Sequence, residues 1–232
     1  MQDKLSYYDV VAHVVPGTLV LVALGLVPRL LGFAMPWPQS DVVALAVGLP
    51  VVYAIGQVVQ AISSMLEQTY FRLWGGPPSR TIMEGHGRRL KGERLERVID
   101  CLSVCFGSPG KTEEQRTALF LDAMALCNKE GLGRVDSFNA AYALHRALLT
   151  SGIIAELVFT AALLGKWLGI GAVTAVDNAS VTYVMLLVAI GTAIEFVRTR
   201  QRGEYFAEEV LNNASIHCRR ISAPSEEDSH DV

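Results

Sequence analysis

Four stretches of this chain are apolar with almost no charge, and between them apolar positions recur every three or four residues, the period of a helix half in contact with water. The first, 17–33, is just long enough to cross a hydrocarbon core of roughly 30 Å, with Arg29 near its far end placed to snorkel outward. Residues 5–15 ahead of it carry Tyr7, Tyr8, Asp9 and His13 and end on Pro16-Gly17, which predicts an interfacial segment that turns into the bilayer there. After a short hairpin containing Trp37 comes the second stretch, 42–62, where Pro50 removes a backbone hydrogen bond and predicts a kink. The third, 148–164, holds one charge, Glu156, and follows without a proline from a water-soluble pattern that opens at Asp136, so one rod is expected over 136–167. The fourth, 181–196, is closed by Arg198, Arg200 and Arg202.

Between the second and third stretches the chain reads as soluble. Gly75-Gly76-Pro77-Pro78 ends a helix and turns the chain. One amphipathic helix then stripes Leu95, Val98, Cys101, Leu102 and Cys105. A second, with Thr112 and Gln115 at the capping-box offset, stripes Leu119, Phe120, Ala123, Leu126 and Cys127 and stops at Gly131 and Gly133. The stripe Phe138, Tyr142, His145 and Leu149 makes the start of the third rod their expected partner in a three-helix cluster. A C-terminal helix carries Phe206, Val210 and Ala214 on one side, and the acidic tail after it is expected to be disordered. The fold class is all-α: a polytopic membrane protein with four transmembrane helices and a small cytoplasmic helical cluster. The expected divisions are 1–63, 64–147, 148–197, 198–221 and 222–232.

Composition agrees, since 51% hydrophobic against 19% charged residues departs from the norm of water-soluble chains. Of the 20 Lys and Arg, only Arg29 and Lys166 fall on one side of the four stretches, so both termini and the central cluster are expected in the cytoplasm. There the four cysteines stay reduced and no disulfide is expected. A net charge of -3 without a dense basic block gives no support to nucleic acid as a partner. No small-residue cleavage site follows the first stretch, which is therefore expected to be a retained helix.

Chemistry has few candidates. An ionisable group inside a span is costly and faces a bundle interior or a wet cavity, which singles out Glu156, three helical turns from His145 on the same side of the rod. Glu156 is read either as an interhelical hydrogen bond or as part of a vestibule with Asp9, His13, Gln57, Gln60, His145 and Glu195, which all fall toward the cytoplasmic end. Cys101 and Cys105, with His86, His145 or Cys218, lack the tight spacing of a structural zinc site and are better read as small core hydrophobes. Arg80 and His86 have a spacing similar to the Arg-x4-6-His motif of HEPN ribonucleases, but Gly85 and Gly87 argue against a regular catalytic helix. The Gly-Ser-Pro-Gly at 107–110 lacks the Lys-Ser/Thr of a phosphate-binding loop. No metal, cofactor or catalytic residue is expected.

Tyr8-Asp9 followed by Pro16-Gly17, together with Phe138-Asn139-Ala140-x-Tyr142-x-x-x-Arg146 leading into the third stretch, resembles small bacterial inner-membrane proteins of largely unknown function, some encoded in antiviral defence loci. The resemblance implies a setting and carries no catalytic motif. The expectation is a non-enzymatic membrane sensor or effector of the bacterial inner membrane. It would be homo-oligomeric, with the bilayer and a cytoplasmic protein or small-molecule signal as partners, and would form a gated pore or perturb the membrane. The alternatives are a scaffold that recruits a cytoplasmic protein and a membrane-associated HEPN-like nuclease.

Overall fold

The computed structural model describes residues 7–30, 40–169 and 178–222, and its regular structure is all helical, with no strand among the described residues. The order is α1 (Tyr7–Leu30), α2 (Asp41–Trp74), α3 (Pro78–Thr81), a π-helical turn (Ile82–His86), α4 (Glu93–Phe106), α5 (Glu113–Glu130), α6 (Val135–Trp167) and α7 (Asn178–Ser222). The Trp37 hairpin, the loop before α7, the acidic tail and the side chains of Tyr7, Tyr8, Asp9 and Arg29 lie outside the described residues. Four helices, α1, α2, α6 and α7, are long and apolar enough to cross a membrane. The chain divides into two compact units, Met1–Gln68 with Ala140–Thr199 and Thr69–Asn139 with Arg200–Val232.

In the first unit α6 is the hub: 39% of its most apolar window is buried, against 6% for that of α7. Val20, Val59 and Ala147 form one small core and Ala23, Ala155 and Phe159 another. Outside them, Leu45, Val47 and Val58 on α2 and Leu186, Leu187, Ile190 and Ile194 on α7 are exposed. The turn expected at Pro16-Gly17 does not form, because α1 runs unbroken through Pro16. A proline leaves the carbonyl four residues back without its donor, and the Gln60 side-chain amide donates to that Ala12 oxygen at 3.3 Å. The carbonyl of Pro16 itself accepts from the Ser151 hydroxyl at 3.2 Å. The Gln60 side chain thus satisfies the freed Ala12 carbonyl, the condition under which an apolar helix tolerates proline. Glycine permits the close crossing, since a Cβ on Gly17 would overlap the Val52 carbonyl and one on Gly56 the His13 carbonyl.

In the second unit α2 ends in a Schellman motif: Gly75 takes φ 84° and the Gly76 amide donates to the Phe71 carbonyl at 2.8 Å. The capping box of α5 forms in both directions, Thr112 accepting from the Gln115 amide and Gln115 from the Thr112 amide. The core unites Leu95, Val98, Ile99 and Leu102 of α4 with Leu119, Phe120 and Ala123 of α5. The third helix in this core is the C-terminal part of α7, through Ala207, Val210, Leu211 and Ala214, and α6 contributes Val135 alone. The expected role of the start of α6 is corrected accordingly. Both segments carry an apolar stripe, and the polar side chains of the α6 stripe find their partners in the first unit.

Two features of this unit escape a local reading. The carboxylate of Glu208, on α7 and 3% exposed, accepts from the backbone amides of Arg89 at 2.8 Å and Leu90 at 3.2 Å, fixing the loop before α4. Cys105 and Cys218, 113 positions apart, are joined in a disulfide, contrary to the expectation that all four cysteines are free thiols. That expectation rested on compartment, which governs whether a bond persists. Formation depends on geometry, and α4 and α7 bring the two Cα atoms to 5.8 Å, inside the bridging range. Cys101 and Cys127 are free, and burial pushes the Cys127 thiol above its usual range, which keeps it neutral.

Glu208→Ala should destabilise the second unit by about 2 kcal/mol, because two amides lose a charged acceptor. Hydrogen exchange at Arg89 and Leu90 should accelerate first, and unchanged exchange there would show that the loop is held by other contacts.

Candidate functional site

Helix α6 carries His145 and Arg146 side by side, and neighbours on a helix point about 100° apart, so the two face different helices of the first unit. Arg146 faces α2: its guanidinium lies 2.6 Å from the Glu67 carboxylate and donates to Ser63 Oγ at 3.2 Å and Ser64 Oγ at 3.0 Å. One turn earlier on α6, the Tyr142 hydroxyl donates to the same Glu67 oxygen at 2.9 Å, and the Arg146 guanidinium carbon lies 5.4 Å from the centroid of the Tyr142 ring. His145 faces α7, its Nδ1 2.7 Å from Glu195 Oε2. Spacing explains the convergence, because Ser63, Ser64 and Glu67 share one face of α2 and Tyr142 and Arg146 one face of α6.

These contacts form a clamp of opposite charges in a largely apolar setting. The Arg146 side chain is 12% exposed and that of Glu67 29%, so each carboxylate–guanidinium contact is strengthened by poor screening and each charge would be costly if left alone. The Arg146 guanidinium is further satisfied by two hydroxyls. His145 with Glu195 ties α6 to α7 by a hydrogen bond between the imidazole Nδ1 and a carboxylate oxygen. Such a set holds α2 and α7 against α6 through polar contacts.

Of the residues singled out in the sequence, His145 and Glu195 come together. Gln60 donates to the Ala12 carbonyl, and His13 packs its ring 5.3 Å from that of Tyr53. Gln57 is exposed, and Asp9 has its side chain outside the described residues. Glu156 stands apart from the clamp, with a buried Oε1 that has no hydrogen-bond partner among the described residues. Sequence reasoning passed over Ser63, Ser64, Glu67, Tyr142 and Arg146 as a site. A signal was present, since Tyr142 and Arg146 lie four apart in the motif quoted above, but Glu67 reads locally as the polar exit of α2.

The other candidates separate. Arg80 is engaged by Glu84 at 2.8 Å and Glu113 at 3.0 Å, while His86 is exposed at the end of the π-helical turn, after Gly85 at φ 89°. The Cys101 thiol donates to the Ser215 carbonyl at 3.5 Å, and the described residues hold no group of three or more His, Cys, Asp and Glu placed for a metal ion.

Arg146→Gln and Glu67→Gln should each destabilise the protein by about 3 kcal/mol, since each strands a poorly solvated charge. The double substitution should cost clearly less than the sum, with a coupling of about 1–3 kcal/mol, measured by unfolding of the purified protein in detergent. Strict additivity would show that the two charges do not stabilise one another.

Comparison of the chain with known protein families, with curated proteins and with solved structures gives no match in any of the three.

Proposed function

We propose that this chain is a non-enzymatic integral membrane sensor or effector of the bacterial inner membrane, working as a homo-oligomer whose helices repack and pass ions when the clamp is released. The observation that carries this reading is the clamp itself: Glu67, Arg146, His145 and Glu195 sit between helices whose outer faces are apolar. Ionisable groups on membrane-spanning helices are expensive and mark switches and ion paths. Exposed Leu186, Leu187, Ile190 and Ile194 on α7 give an apolar surface for lipid or for further copies. A signal, either a cytoplasmic protein or a small molecule, would act by competing for the charges of the clamp.

The distribution of Lys and Arg supports a cytoplasmic position for both termini. The Cys105–Cys218 pair speaks for the opposite side, where a disulfide would persist. Charge bias is the better guide to orientation because it draws on the whole chain, and on that reading the two thiols are mostly reduced in resting cells.

Induced expression in bacteria should collapse the membrane potential reported by a voltage-sensitive dye, and Arg146→Gln should change the extent at equal membrane content. A reporter fused after Val232 should be active in the cytoplasm and one at Asp177 outside it. An inserted protein that leaves the potential untouched would be a scaffold, and reporters with the opposite sidedness would overturn the orientation.

A further inference from the structure

A cavity of ≈ 270 Å³ lies between α4 and the end of α7, lined by Arg94, Arg97, Val98, Asn212, Ser215, Ile216 and Arg219. Arg94 and Arg97 are three apart on α4. Asn212, Ser215 and Arg219 lie three and four apart on α7, so each helix presents one face to the same space. Three arginines, Arg94, Arg97 and Arg219, line that space, and no acidic residue does. Arg97 meets Glu93 at 3.6 Å, but both side chains are mostly exposed and the attraction is screened. Neither Arg94 nor Arg219 has a carboxylate within ion-pair distance among the described residues.

A second basic cavity shows what a self-neutralised one looks like. In that space of ≈ 210 Å³, Arg80 is held by Glu84 and Glu113, and Arg116 by Glu96 and by the carbonyls of Met83 and Gly110. The first cavity has no carboxylate among its lining residues, and Asn212 adds a polar side chain to its wall. The Ser215 hydroxyl donates to the Asn212 backbone carbonyl at 2.9 Å, so it has no hydrogen left for an anion and the guanidiniums must supply the donors. Guanidiniums match phosphate oxygens two at a time, which an ammonium or an amide does not. The volume falls just below the range of about 300–1,000 Å³ typical of drug-sized ligands, so it suits a phosphate or diphosphate group with little else.

We propose that the cavity between α4 and α7 binds the phosphate group of an anionic ligand through Arg94, Arg97 and Arg219. The ligand is a soluble phosphorylated small molecule or the headgroup of an anionic phospholipid. This site belongs to the second unit and stands whether or not the helices of the first unit conduct ions.

Full-length protein in detergent is titrated with inorganic pyrophosphate and followed by thermal unfolding and calorimetry. In parallel it is placed in phosphatidylcholine nanodiscs with and without phosphatidic acid. A saturable rise in unfolding temperature with pyrophosphate is expected, weakened about tenfold in Kd by Arg94→Gln with Arg219→Gln and unchanged by Lys129→Gln. Stabilisation by phosphatidic acid alone, lost in the same double variant, assigns the site to a lipid headgroup. Should the pair fail to fold, Arg219→Gln alone, at an exposed position, must weaken whichever ligand binds by severalfold. No effect from either probe, or an effect that survives the substitutions, overturns the proposal.

Discussion

The Arg146–Glu67 contact is the point on which the first unit's geometry turns. A guanidinium on an apolar helix must be met by an acid and by enough further acceptors, or the helix would not pack there at all. Glu67 supplies the charge, Ser63 and Ser64 the remaining oxygens, and Tyr142 binds the same carboxylate from the side of Arg146. Meeting these requirements at once fixes the register of α2 against α6. His145, one position away, then has no freedom but to face α7, where Glu195 receives it.

The same rule, that a polar group in apolar surroundings must find a partner, accounts for α1. Pro16 leaves the Ala12 carbonyl without a backbone donor, and Gln60 replaces it across the helix pair. That contact is possible because Gly17 and Gly56 let the two backbones approach so closely that a side chain on either would collide with the other helix. In the second unit Glu208 plays the corresponding part for the loop before α4. In both units long-range polar contacts set register, and apolar packing supplies area.

What could be read from the chain in advance follows from the range of each interaction. The four apolar stretches, the Thr112–Gln115 capping box and the stop at Gly131 are local, and their residue types declare them. The unbroken course through Pro16 was illegible because its repair comes from Gln60, 48 residues away. The partner of α4 and α5 was misassigned to the start of α6 because α6 and the end of α7 carry equally plausible apolar stripes. The Cys105–Cys218 pair depends on that second assignment. His145 was aligned with Glu156 along one helix, whereas its partner lies on α7, and Glu67 gave no local hint of its bond to Arg146.

A membrane-spanning first unit requires that its charges turn inward while its outer faces meet lipid. Nitroxide labels placed one at a time at Leu45 and Leu187, both exposed on the protein, report it in lipid bilayers through collision with molecular oxygen and with a water-soluble nickel chelate. The account predicts high oxygen and low nickel accessibility at both positions. High nickel accessibility at either would mean that water, and not lipid, covers that face, and would contradict the account.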